Sequence, residues 1–138
     1  MKTWAWLTGN DKQPIMVTIL GDVFLKDKQG QIFWLNVGEG YIDKVADSQS
    51  SFEEMLLDEE LVDEWFLPQL VEEIKASGLE LTDGKVYSYL KLPILGGHYV
   101  AENFKVTDIA VHFQLTGEIH RQIADLPEGT NVNIKVVE

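Results

Sequence analysis

At 138 residues the chain has the length of one domain with a sizeable core. It contains no cysteine, which excludes disulfides and thiolate chemistry, and no apolar run approaches the ~18 residues of a membrane helix. The formal net charge is −12, from 23 acidic and 11 basic residues; this disfavours nucleic-acid binding, which rests on a Lys/Arg surplus, and is compatible both with steering toward a basic partner and with plain solubility.

Residues 1–7 lack the long apolar core of a signal peptide, which with the absence of cysteine fits a cytoplasmic location. Trp4 and Trp6 alternate, an arrangement suited to covering a sheet edge or to standing exposed as an interface anchor. Residues 15–46 read as a β-meander. Ile15 to Leu20 form one β-rich run, Val23 to Leu25 a second, Gln31 to Leu35 a third and Tyr41 to Val45 a fourth. Asp27 to Gly30 has the composition of a tight turn, and Gly38-Glu39-Gly40 makes another. Pro14 stands at the front of the first run, where a missing N–H is harmless.

The pattern turns helical near Ser48. Ser51 with Glu54 fits a capping box for a helix through Leu57. Asp58 caps a second helix from Glu59 to Trp65 or Phe66, and Pro68 occupies the first position of a third that ends at Gly78. Phe52, Leu56, Leu61, Trp65, Leu70 and Ile74 recur at helical spacing and predict an inward stripe, with Trp34 and Trp65 in the core. Strand follows over 79–92, with Thr82-Asp83-Gly84 as its turn, and Leu95-Gly96-Gly97-His98 is a loop by composition. Residues 109–123 fit both periods: Ile109, Val111, Phe113 and Leu115 alternate, while Ile109, Phe113, Thr116, His120 and Ile123 share a helical face. A short strand near Phe104 to Val106 and a helix from Asp108 to Asp125 is the preferred assignment, with Gly117 its weak point at about 1 kcal/mol against alanine. A turn from Leu126 to Gly129 and a strand through Val132, Ile134 and Val136 close the chain. The expected class is α+β, an antiparallel sheet with helices packed on one face, as one domain.

No catalytic motif is present. His98, His112 and His120 lack metal-ligand spacing, no HExxH occurs, no serine sits in a GxSxG turn, and Gly96-Gly97 lacks the setting of a dinucleotide or phosphate loop. No cofactor and no metal site follow from such a pattern. His112 and His120, two helical turns apart, are read as satisfying core or surface hydrogen bonds; an enzymatic role would need them to converge with a carboxylate. Nine acids crowd 53–73 without a basic residue: Glu53, Glu54, Asp58, Glu59, Glu60, Asp63, Glu64, Glu72 and Glu73. Their helical spacing puts most of them in water. They form either a solvated face or a docking surface for a basic protein.

The order of short motifs along the chain resembles the C-terminal domain family of type VI secretion immunity proteins, a former domain of unknown function. It is carried by Leu20-Gly21-Asp22-Val23-Phe24-Leu25, Gly30 with Trp34-Leu35, Glu64-Trp65-Phe66-Leu67-Pro68 and Gly84-Lys85-Val86-Tyr87. Leu95-Gly96-Gly97-x-Tyr99-x-x-Glu102-Asn103 follows, then Asp108 with His112-Phe113, Gly117-x-Ile119-His120-x-Gln122-Ile123 and Asp125-Leu126-Pro127-x-Gly129-Thr130. The resemblance spans roughly 15–136, with 1–14 as an N-terminal segment where larger relatives carry a separate domain. It implies an α+β binding protein, not an enzyme, that blocks a cognate secreted toxin, expected to be a nuclease. A nuclease face that attracts polyanions is basic, so the contact surface is expected on the nine acids of 53–73, with Gly96 and Gly97 second. Neither nucleic acid nor membrane is expected as a partner. The alternative is a regulatory or scaffold module that binds a resident protein.

Overall fold

A computed structural model describes residues 1–126. A 3₁₀ turn (Lys2–Trp4) runs into α1 (Ala5–Thr8), followed by the meander β1 (Gln13–Val17), β2 (Val23–Lys26), β3 (Ile32–Asn36) and β4 (Tyr41–Ala46). Three helices follow, α2 (Gln49–Met55), α3 (Glu59–Phe66) and α4 (Pro68–Ala76). Then come β5 (Lys85–Tyr89), two 3₁₀ turns (Pro93–Leu95 and Ala101–Asn103), β6 (Phe104–Asp108) and the long α5 (Ile109–Ala124). The α+β class is as expected, and the strand-then-helix reading of 104–124 holds. The expected turn from Leu126 to Gly129 and the closing strand through Val132 lie outside the described residues, apart from Leu126 itself.

The strands divide between two antiparallel sheets, β1-β2-β3-β4 in sequence order and β5-β6. The expectation that helices cover one face is corrected by the larger sheet. On one face Val23, Leu25 and Leu35 pack with Trp4 and with Phe113 of α5. On the other, Phe24, Ile32 and Trp34 pack with Phe52 of α2 and Trp65 of α3. The cause lies in β2, where Val23, Phe24 and Leu25 are consecutive and all buried; alternate side chains of a strand point to opposite faces, so an unbroken apolar run needs cover on both. A third cluster joins α4, through Leu70, Val71 and Ile74, to Tyr87 and Phe104 of the smaller sheet.

Local chemistry sets most of the boundaries. Asp27 Oδ1 accepts from the N–H groups of Gln29 (3.1 Å) and Gln31 (2.8 Å), and Gly30 takes φ +84°, completing the β2–β3 turn. Asp58 caps α3 by accepting from Glu60 N–H at 2.9 Å, and Pro68 opens α4, both as the sequence predicts. The first cap is corrected. Ser48, not Ser51, is the N-cap of α2: its backbone is extended and its Oγ accepts from Ser51 N–H at 3.1 Å. The helix therefore starts three residues early and stops at Met55. The first strand is also displaced, since Thr18 to Asp22 form a tight loop in which Thr18 Oγ1 accepts from Asp22 N–H at 3.0 Å. That loop turns Leu20 into the α4 cluster.

Gly117, the doubtful residue of α5, has a packing reason. A Cβ there would stand 2.7 Å from the backbone oxygen of Thr3, whose hydroxyl donates to the Phe113 carbonyl at 2.9 Å. The glycine lets the N-terminal segment lie directly on α5. Trp4, fully buried, stacks on Trp6 and donates its indole N–H to Thr116 at 3.3 Å, so this residue covers the sheet and is no exposed anchor.

Candidate functional site

Helices α2, α3 and α4 turn their stripe inward and their acids outward. Phe52, Trp65, Leu70 and Ile74 are buried. Glu53, Glu54, Asp58, Glu59, Glu60, Asp63, Glu64, Glu72 and Glu73 are all exposed. Glu72 lies 3.6 Å from Lys75, and Glu53 accepts from Gln49 at 3.5 Å. Amphipathic spacing is enough to produce this arrangement, because an apolar stripe fixed on the core leaves the remaining positions in water. The result is a strongly negative surface borne on rigid elements.

Gly96 and Gly97 belong to a tightly built loop. Gly96 adopts φ +97°, and a Cβ on Gly97 would fall 1.9 Å from the carbonyl oxygen of Lys91. Asn103 ties the loop down, accepting from Lys91 N–H at 2.9 Å and donating to the carbonyls of Lys91 (2.8 Å) and His98 (3.0 Å). The loop delivers Tyr99, whose hydroxyl donates to Glu39 in the β3–β4 turn at 2.9 Å. Tyr99 and Glu64 line one cavity of about 270 Å³; of the expected site residues only Glu64 is on its wall, while Gly96 and Gly97 line a separate hollow with Lys91, His98 and Asn103.

At the base of that cavity is Asp22, which the sequence reading did not single out. It is 8% exposed. Its Oδ1 accepts from Val37 N–H at 2.9 Å and its Oδ2 from the Trp34 indole at 3.2 Å. Burial pushes its carboxyl up to about 7, against the pull of these two hydrogen bonds. Its only sequence signal was position: an Asp between Gly21 and the apolar run of β2 is as readily a turn residue as a buried acid. Tyr89 forms another wall. Burial, reinforced by the negative charge of Asp22, raises its phenol above the ordinary tyrosine range.

The histidines do not converge on a carboxylate. His112 Nε2 lies 2.8 Å from the Gly21 carbonyl and its Nδ1 2.7 Å from Ser88 Oγ; burial lowers it to about 4. His120 Nε2 donates to the Val37 carbonyl at 2.6 Å, and its ring packs against Trp4. Both satisfy the core, as read from their spacing. His98 is exposed on the loop. Among the described residues no group of three or more His, Asp or Glu side chains could hold a metal ion, and no helix is long and apolar enough to cross a membrane.

The fold recurs in the crystal structure of Atu4351 from Agrobacterium tumefaciens, with a TM-score of 0.57 and 16% identity over 85% of this chain and 62% of that one. The chain thus spans less than two thirds of that protein's length, and the likeness shows the fold. No curated protein matches the chain. A family model described as T6SS immunity protein Tdi1, C-terminal, matches residues 46–120, which take in α2 to α4, the glycine loop and most of α5. The chain therefore belongs to the Tdi1 C-terminal family of type VI secretion immunity proteins.

Proposed function

We propose that this chain neutralises a secreted toxin in the cytoplasm by binding it, without catalysis, through the acidic face of α2, α3 and α4. The observation that carries the reading is that all nine acids of 53–73 stand exposed on rigid helices in a chain of net charge −12. A toxin that cleaves nucleic acid attracts polyanions to a basic face. An inhibitor of opposite sign gains association rate and competes for that same face. The loop at Gly96 and Gly97 supplies the second edge of the contact through Tyr99. Residues 15–136 act as the binding unit, with the turn Lys2–Trp4 packed on α5.

The test pairs capture with inhibition. The tagged chain recovers its partner from the native cell, and the purified partner is assayed for nuclease activity with and without one equivalent of the chain. The expected partner is basic, cleaves nucleic acid and is silenced. Its association slows steeply between 0.05 and 0.5 M salt, as screening shortens the Debye length to a few ångströms. A resident, non-toxic partner, or association indifferent to salt, would sink the acidic-face reading and favour a regulatory module.

A further inference from the structure

The cavity at the meeting point of α3, the β3–β4 turn and the Tyr99 loop has three carboxylates on its wall, from Asp22, Glu39 and Glu64, and no Lys, Arg or His among the described residues. Most of the rest of its lining is aromatic, with Leu20, Leu67 and Asn36 completing it. Trp34 and Tyr41 meet edge to face at 5.8 Å, and Tyr89 and Tyr99 do so at 6.2 Å. Negative charge between π-faces selects a cation, because the ring quadrupole and the carboxylates attract the same sign.

A separate observation points the same way. Tyr89 is 8% exposed, yet its hydroxyl has no hydrogen-bond partner among the described residues. It lines the cavity with Asp22, Glu39 and Tyr99, whose groups lie within electrostatic reach of it. Gly38 leaves room for it, since a Cβ there would stand 2.9 Å from the hydroxyl. The hydroxyl is not among the buried unpartnered atoms, so it opens into the cavity, where its lone pairs are open to an N–H donor. Among the described residues the Asp22 carboxylate likewise accepts two hydrogen bonds, leaving further lone-pair positions. A cavity of about 270 Å³ suits a side-chain headgroup and stem, being smaller than most small-molecule sites.

We infer that this cavity receives an arginine side chain of the bound partner, with the guanidinium seated between Glu39, Glu64 and the Tyr89 hydroxyl and stacked on the aromatic wall. Arginine fits better than lysine because its planar fork both bridges carboxylates and stacks on rings. Asp22 sits behind this position, and a cation supplies the opposite charge that its own surroundings lack. Glu64 makes the cavity continuous with the acidic face of α3, so steering over that face ends at a specific anchor. This deepens the toxin-binding reading and rests on it for the identity of the partner.

The experiment has two arms. In the first, the chain alone is titrated with N-acetyl-arginine methylamide, its citrulline analogue and its lysine analogue, followed by amide and indole NMR shifts. Expected is saturable binding by the arginine compound, with a dissociation constant on the order of 1 mM and the Trp34 indole among the largest shifts. The citrulline analogue shifts nothing, the lysine analogue binds more weakly, and Glu39→Gln with Glu64→Gln weakens the arginine compound about fivefold or more. Equal response to citrulline, or shifts confined to the outer face of α2 to α4, would overturn the proposal whether or not a toxin is known. In the second arm the same double variant and Tyr89→Phe are tested on the purified partner. Dissociation about tenfold faster, persisting at high salt, marks a seated side chain and not steering. An unchanged dissociation rate would place the partner's arginine elsewhere and overturn the assignment while leaving toxin binding intact. If no toxin binds the wild type, the functional reading falls and the first arm still decides the cavity.

Discussion

The imidazole of His112 lies between the carbonyl of Gly21, at 2.8 Å from Nε2, and the hydroxyl of Ser88, at 2.7 Å from Nδ1. A carbonyl only accepts, so Nε2 carries the proton and Nδ1 accepts from Ser88. One neutral ring thereby joins the β1–β2 loop, β5 and α5. Gly21 is shaped for it: φ is +84°, and a Cβ would stand 2.2 Å from Nε2. His112→Ala should cost about 2–4 kcal/mol in urea denaturation, from a cavity plus two orphaned polar groups. Gly21→Ala should cost about 2 kcal/mol or more from strain and clash together. A loss below about 0.5 kcal/mol in both would mean the ring is not a fixed joint.

Stability against pH should carry two opposed contributions. Burial lowers His112 from its ordinary 6.5 to about 4. Its contribution is therefore complete above pH 6.5 and is lost as pH falls through about 4. Burial raises Asp22 from 3.8 to about 7, so its contribution is complete below 3.8 and is lost as pH rises through about 7. In the wild type the two offset one another between about pH 4 and 6.5. Denaturation of Asp22→Asn should lose less stability between pH 5 and 8 than the wild type does. His112→Gln should lose less on the acid side. Parallel curves for wild type and Asp22→Asn would show that Asp22 keeps an ordinary pKa.

Gly117→Ala tests the contact of the N-terminal segment with α5. On a free helix the change gains about 1 kcal/mol. Here the new methyl meets the Thr3 backbone at 2.7 Å, so thermal unfolding should show a loss instead. A rise in Tm would mean that the segment does not lie on the helix.

Charge reversal of Glu59, Glu60 and Asp63 to lysine should leave stability within about 1 kcal/mol, since all three side chains are exposed. Association with the proposed toxin partner should slow about tenfold or more at low salt. Equal rates for variant and wild type would remove α3 from the contact surface.

Wherever one residue's own chemistry decides, the sequence was readable. Asp27 and Gly30 build their turn, Asp58 caps α3, Pro68 starts α4, and the amphipathic spacing of 52–74 sorts Trp65 inward and Glu59 outward. These interactions span a few residues and need no knowledge of the rest of the chain. The cap at Ser48 was misread because Ser51 carries the same chemistry three residues later, and only the backbone conformation at Ser48 distinguishes them. The two-sided cover of the larger sheet was implicit in the consecutive apolar residues of β2, but an apolar run alone does not say which helices supply the cover.

By itself, then, the sequence determined most of the elements, the inward stripe, the acidic face and the family, all properties of local pattern and motif order. Only tertiary structure decided which distant groups meet. Glu39 and Tyr99 are 60 positions apart, Gly21 and His112 are 91, and Thr3 and Phe113 are 110. Such pairs meet because two sheets and α5 pack in one arrangement. A buried acid such as Asp22 takes its character from the surroundings that this packing creates, not from its neighbours in the chain.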